Sequence, residues 1–381
     1  MKKLVKPGKH SMTLDVTSNI ILTLDVGGTN FVFSALQHGK FITDTVCLPA
    51  SIQTEDSCTA TIIDGFEILK NIIKKPISAL SFSFPGPADY SNGIIGNLPN
   101  FPGINGNYPL KFILEAHFDC PCFINNDGNL FAFGEALKGA LQEVNLGLKV
   151  NRSPKIFSNL IGITLGTGIG CGFVINQNLF TGDNSSSAEI HNMSNLNNSN
   201  WNIEESVSTR AIQRIYSEKA NIELDPNIMP EDIYDIALRG SGENKEAALY
   251  SFIQYGKALG FVLADVITMI DGLVVIGGGI SAAWDLFAPA MFKAIHKKHR
   301  SANGNTCNRT TVKVFNLENE QEKQIFFKGT VEKIKVFANN SIYCDTMART
   351  AVMRSKRKAS NSISIGAYYF AISQLNNHKN N

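Results

Sequence analysis

A strand, glycine turn, strand pattern occurs twice in this chain, and it limits the fold more than any other feature. Ile20-Ile21-Leu22-Thr23-Leu24 is an apolar, β-branched run that reads as a buried strand, and Phe31-Val32-Phe33-Ser34-Ala35-Leu36 reads as a second. Gly27, Gly28, Thr29 and Asn30 lie between them, with Asp25 at the entrance of the turn. The pattern returns as Leu160 to Leu165, then Gly166-Thr167-Gly168-Ile169-Gly170, then Cys171 to Ile175. Ordinary hairpin turns also favour Asp, Gly and Asn. Two such turns far apart in sequence can in addition clamp one polyphosphate from opposite sides. Glycine lets the backbone approach a ligand closely, and successive N–H groups form an anion-binding concavity. Thr29 and Thr167 would add hydroxyl donors, and Asp25 is placed to hold a hydrated magnesium ion. A third cluster, Gly277-Gly278-Gly279, follows the strand-like Leu273 to Ile276, with a helix expected from about Ser281. It is either a packed strand-to-helix turn or a seat for a flat or anionic group.

The rest of the chain supplies the crossovers that such hairpins need. Helices are expected near Thr59 to Ile73, Tyr108 to His117 and Leu130 to Lys138, and strands at Leu80 to Phe84 and Cys122 to Ile124. Hairpins followed by helical crossovers imply an α/β fold, its mixed sheets flanked by helices. At 381 residues and 44% apolar, the chain can build a sizeable core, in two domains. A net charge of +2 with mixed signs gives no bulk nucleic-acid signature. The basic cluster Arg349, Arg354, Lys356, Arg357 and Lys358 reads first as a solvated loop. Seven cysteines without framework spacing point to a reducing compartment. The polar N-terminus lacks a signal-peptide core, and Leu259 to Ile270, the best apolar run, carries Asp265 and a core-facing helical stripe. The expectation is therefore a cytoplasmic protein without a membrane segment. Val312 to Phe315, Ile325 to Phe327 and Ile334 to Ala338 look like extra strands.

The order of these motifs resembles the actin-like ATPase superfamily and, within it, the ROK family of sugar kinases and repressors. The resemblance is carried by Asp25 to Asn30, Pro85-Gly86-Pro87, Leu98-Pro99-Asn100-Phe101-Pro102-Gly103 and Asn125-Asn126-Asp127-Gly128-Asn129. It continues through Gly134-Glu135-Ala136, Leu165 to Gly170, Ala188-Glu189, Gly277 to Gly279 and Gly366-Ala367. It implies two ribonuclease-H-like domains with mixed sheets and a cleft between them. These would be residues 1–128, joined by a C-terminal helix 362–381, and residues 129–361, with an insertion near 300–350. It further implies Asp127 as general base and Asn126, Glu189 and Glu204 as sugar contacts, with Asn100 a lesser one. ATP would lie on Gly27, Gly28, Thr29 and Asn30, on Gly166, Thr167 and Gly168, and on Gly278 and Gly279. Asp25 would hold Mg2+ through water.

Two departures stand out. The family commonly reads Gly-Glu-x-Gly-His, its histidine contacting both the sugar and a structural zinc. Here the chain reads Ala188-Glu189-Ile190-His191-Asn192, so in direct register Asn192 replaces that histidine. The following Ser194 to Trp201 contains no cysteine, so no structural zinc is expected. The resulting expectation is a glucokinase-like, ATP-dependent kinase acting on a hexose, at its 6-position. Rivals are an N-acetylhexosamine kinase and a sugar-sensing regulator. The two dozen residues before Asp25 are too few for a helix-turn-helix module, so no nucleic acid is expected as partner, while a homodimer stays open.

Overall fold

The computed structural model describes residues 18–51, 53–86, 88–96, 106–336 and 341–380. Each glycine hairpin opens a six-stranded sheet. In the first, Ile20–Val26 and Asn30–Gln37 pair antiparallel, while Ala79–Ser83 and then Cys122–Asn125 add in parallel on the far side of Ile20–Val26. In the second, Leu160–Leu165 and Ile169–Ile175 pair antiparallel, and Leu273–Gly277, Arg349–Arg354 and Lys313–Asn316 follow in parallel. Parallel neighbours require crossovers. Glu55–Ile73 and Leu110–Phe118 supply them for the first sheet, Gly242–Ile270 and Trp284–Ile295 for the second.

Two helices fill the space between the sheets. Asp127–Lys138 packs on the second sheet, Ala359–Asn380 packs on the first, and the two pack on each other. Their shared core joins Ile21 and Phe123 of the first sheet to Leu130, Phe131 and Tyr368 of the helices and to Leu160 and Val174 of the second sheet. The helices cross at glycines. A Cβ on Gly366 would run into the Leu130 carbonyl, and one on Gly134 into the Ser362 carbonyl. On the outer faces, Phe66 packs edge-on against Phe33 and Phe118. There too Leu259, Val262, Leu263, Val266 and Ile267 form the expected buried stripe. Their helix, Gly242–Ile270, is long and apolar enough to cross a membrane by length and composition. It packs instead against Thr209–Ala220 and Trp284–Ile295.

Several expectations are corrected. The helix expected from Leu130 begins at Asp127, because Asn126 caps it: its Oδ1 accepts from the Gly128 N–H at 2.8 Å and the Asn129 N–H at 3.4 Å. Past Gly278, a 3-10 turn, Gly279–Ala283, comes before the helix Trp284–Ile295. Ile325 to Phe327 is not a strand but part of the helix Glu320–Lys328, capped by Asn319. Of the three, Phe326 is the buried one: it stacks on Phe157 and meets Phe315 edge-on, while Ile325 is exposed. Lys313–Asn316 is a strand of the main sheet, whereas Val331–Lys335 and Ser341–Asp345 form a separate two-stranded hairpin. The basic cluster is not one solvated loop. Arg349 is fully buried and ion-paired with Asp345 at 2.7 Å, Arg354 pairs with Glu318, and Lys356 pairs with Glu143.

The glycine crossing gives a direct test. Gly366→Ala should destabilise the fold by on the order of 1–3 kcal/mol through overpacking against the Leu130 carbonyl. Urea unfolding of parent and variant measures it, and an unchanged midpoint would contradict the close crossing.

Candidate active site

Strand register brings the first group of functional side chains together. Asp25 pairs with Ser83, and Ser83 with Asn125, so three polar residues stand in a row at the carboxyl ends of parallel strands. Such strand ends are where open α/β sheets bind ligands. Ser83 Oγ donates to Asp25 Oδ1 at 3.0 Å and accepts from the Val26 N–H at 3.2 Å, fixing the carboxylate beside the first glycine turn. Asn125 Oδ1 accepts from the Asn126 N–H at 2.8 Å and from Asn129 Nδ2 at 3.0 Å, so the chain turns directly into the helix that begins with Asp127. Asn126 spends its carbonyl oxygen on the cap, and its amide hydrogen-bonds the Tyr90 side chain. Tyr90 is itself held by donation to the Phe84 carbonyl at 2.9 Å.

The second sheet closes on the same place. The first turn of the 127–138 helix lies on strand Ile169–Ile175, and Gly170 comes near Asp127. The second glycine turn is held from outside itself. Thr209 donates to the Gly166 carbonyl through its N–H at 3.1 Å and its hydroxyl at 3.0 Å. Glu204 Oε2 accepts from the Ile169 N–H at 3.3 Å and lies where a Cβ on Gly168 would stand. Arg210 bridges Glu204 and Glu205. Gly278, at φ +91°, sits against the Leu165 backbone, so the third glycine cluster adjoins the second turn. Gly28, Gly166 and Gly279 face open space where a ligand could approach.

Glu189 completes the arrangement. Its Oε2 lies 2.9 Å from His191 Nδ1, and its charge acts on Asp127 and Tyr90. Burial, with the charge of Asp127 adding to it and the Ser83 hydrogen bond opposing it, raises the Asp25 carboxyl to about 6. Burial also raises Asp127, opposed by the Gly128 N–H and reinforced by Glu189. His191 is raised chiefly by its hydrogen bond to Glu189. Partly desolvated acids drawn together in this way suit a divalent cation and a neutral, hydroxyl-rich ligand. Asp25 with its Ser83 support, beside open glycine backbone, fits a water-mediated Mg2+. Among the described residues no three His, Cys, Asp or Glu side chains converge to hold a metal by themselves. The 194–202 loop does not fit zinc. Asparagine holds it instead: Asn195 Nδ2 donates to the Asn202 carbonyl at 2.9 Å and to Ser206 Oγ at 2.8 Å, and its Oδ1 accepts from the Asn197 N–H at 2.9 Å.

Of the residues singled out from sequence, Asp25, Asn126, Asp127, Glu189, Glu204 and the glycine turns are brought together. Asn192 is exposed, and His191, not Asn192, faces the acids. Asn100, Pro87 and the surrounding Pro-Asn-Phe-Pro-Gly turn lie outside the described residues. Ser83, Tyr90 and Arg210 were not legible, since register and loop folding alone give them partners.

Residues 21–321 match the ROK family. The solved structure of the glucokinase of Parabacteroides distasonis has a TM-score of 0.83 at 41% identity, over 95% of this chain and 99% of that one. The glucokinase of Thermotoga maritima is 30% identical over 303 residues, 72% of this chain and 87% of that protein. The xylose repressor of Caldicellulosiruptor bescii is 24% identical over 316 residues, 77% of this chain and 74% of that protein.

The raised Asp25 carboxyl predicts a stability change. An acid whose pKa is raised on folding contributes stability fully below its unfolded value of 3.8 and loses it as pH rises through about 6. Without magnesium or nucleotide, Asp25→Asn should therefore stabilise the protein at pH 7.5 by on the order of 1 kcal/mol, the gain vanishing below about pH 4. Thermal melts across pH measure this, and a lower melting point for the variant at pH 7.5 would contradict it.

Proposed function

The chain belongs to the ROK family and has its actin-like ATPase fold, and on that footing we propose that it is an ATP-dependent kinase of a hexose, acting on the 6-hydroxyl of a glucose-like sugar. The observation that carries this reading is the convergence of Asp25, Asp127 and Glu189 from both sheets beside two open glycine turns. Phosphoryl transfer needs positioning and electrostatics more than covalent help from the protein. Gly27 to Asn30 and Gly166 to Gly168 grip the phosphates of ATP from opposite sides, and Gly278 and Gly279 seat the adenosine. Asp25 would hold Mg2+, which would neutralise charge on the phosphates. Asn126, Glu189 and Glu204, with Asn100, hydrogen-bond the sugar hydroxyls. His191 holds Glu189 in place, one residue before Asn192, which stands in register with the family's histidine.

Asp127 accepts the proton of the attacking hydroxyl as the oxygen–phosphorus bond forms and the bond from phosphorus to the ADP oxygen breaks. A raised carboxyl brings its basicity nearer neutrality, which suits that role. Lobes of residues 1–128 with 362–381 and of 129–361 would close on the sugar, excluding water that competes for the phosphoryl group. The same scaffold serves an N-acetylhexosamine kinase. The repressor likeness supports a regulator instead, but a regulator has no need of a base and a metal acid side by side.

Two experiments test this. ADP release across a sugar panel should show turnover with a hexose, and Asp127→Asn should lower it by about 10²–10⁴ while sugar binding persists. Parent-like turnover in the variant would remove Asp127 as base. Sugar binding without ADP release in the parent would favour the regulator. The His191–Glu189 contact predicts a pH dependence of sugar affinity. As pH rises past the elevated histidine pKa, Glu189 loses its charged partner and the sugar KM should rise. His191→Gln should hold KM at the higher value, about tenfold, at every pH, in line with loss of one charge-assisted bond. A parent KM that is flat from pH 6 to 9 would contradict this.

A further inference from the structure

A cavity of about 260 Å³ lies apart from the acid cluster, between the 193–203 loop and the middle of the helix Gly242–Ile270. Met193, Ile203 and Phe261 give it apolar walls, and Lys257 and Asp265 its charges. The local balance is positive. Lys257 is exposed and enters no ion pair among the described residues. Lys297 Nζ and the Arg309 guanidinium stand 5.4 and 4.9 Å from the centre of the Phe261 ring. Against these three cations stands Asp265, already bound by Arg309 at 2.8 Å. Arg309, with its side chain 9% exposed, also keeps a buried Nε that has no hydrogen-bond partner. With Arg309 and Asp265 paired, Lys257 in the lining and Lys297 on the Phe261 ring leave a positive excess beside the apolar wall, which suits an anion with a carbon body. The volume admits a ligand of about ten heavy atoms.

The cavity wall continues into the acid cluster. The Met193 N–H donates to the Ile190 carbonyl at 3.0 Å, closing the turn that carries His191, directly after Glu189. The Ile203 N–H donates to the Met193 carbonyl at 2.8 Å, and Ile203 opens the turn that carries Glu204. The loop between them is held by asparagine hydrogen bonds, each individually modest. A ligand that fixes this wall removes part of the ordering cost that sugar binding would otherwise bear.

We infer that this cavity is a second ligand site, for a small phosphorylated polyol, and that its occupation tightens sugar binding at the neighbouring acids. The coupling half rests on the proposed function, whereas the binding half stands independently of it.

The test titrates glycerol 3-phosphate into the full chain by calorimetry with ADP saturating, so that the glycine turns are filled. Inorganic phosphate and glycerol serve as separate arms. Glycerol 3-phosphate should bind at least about tenfold more tightly than either. Lys257→Glu, at an exposed position, should weaken it by about tenfold or more, and Ala258→Phe, which fills the cavity, should abolish it, both with parent-like turnover. Sugar affinity, measured by binding alone, should rise several-fold in the presence of glycerol 3-phosphate, and glycerol 3-phosphate affinity should rise by the same factor with sugar. Equal binding by parent and Lys257→Glu would overturn the site, and inorganic phosphate binding as tightly would overturn the polyol class. An unchanged sugar affinity with the cavity filled would overturn the coupling. A protein that binds no hexose yet binds glycerol 3-phosphate through Lys257 would reject the kinase reading and leave the site standing.

Discussion

Everything at the candidate site depends on the close packing of one helix, Asp127–Lys138, between the two sheets. Its N-terminus grows out of the first sheet through Asn125 and Asn126, while its body lies on the second. At that junction it presents the Asp127 carboxylate near Gly170 of the second hairpin. The helix can lie so close because glycines meet it on both sides: Gly162 and Gly172 from the sheet, and Gly366 from the C-terminal helix. Larger residues there would lift the helix off the sheet and carry Asp127 away from Glu189. Packing density, a property of the core, thereby sets the geometry of the chemistry.

The acids gathered at the helix start work against stability. Desolvation raises both Asp25 and Asp127, with the charge of Asp127 adding to it at Asp25 and that of Glu189 at Asp127, so the site holds carboxylates in a setting that disfavours their charge. Local devices partly offset this. The Ser83 hydroxyl serves Asp25, the Gly128 N–H and the helix dipole serve Asp127, and His191 serves Glu189. What they leave unmet is the driving force for taking up a cation and a hydroxyl-rich ligand.

The sequence made some of this legible and hid the rest for identifiable reasons. Both hairpins could be read because alternating apolar runs and glycine turns are local signals, and paired residues such as Ile20 and Gln37 stay close along the chain. The start of the 127–138 helix was misread because Asn125, Asn126 and Asp127 are all capping residues, and only the fold decides which of them caps. Ile325 to Phe327 looked like a strand because three apolar residues in a row carry no period, and the deciding cap, Asn319, stands six residues upstream. Ser83 meets Asp25 across 58 residues of chain, a pairing set by strand register alone. Arg349 sits among basic neighbours in sequence but is the member that the sheet swallows, since its strand is flanked on both sides and its guanidinium reaches the Phe326 and Met347 carbonyls as well as Asp345.

The loop that carries Glu189 and Glu204 shows how a missing constraint can be replaced. A structural zinc would tie such a loop through four strong ligands. Here Asn195 does part of that work with a buried amide whose three hydrogen bonds reach the Asn202 carbonyl, Ser206 and the Asn197 N–H. Arg214 reinforces it by covering the Trp201 ring at 4.6 Å and donating to the Glu205 carbonyl. Each of these bonds contributes on the order of 1 kcal/mol, well below a metal site, and none requires a particular redox state or metal supply. A loop closed this way opens at lower cost than one pinned by a metal. Its sugar-side acids therefore sit on a softer support than the rigid helix that holds Asp127, and ligand-dependent adjustment belongs in the loop rather than in the catalytic helix.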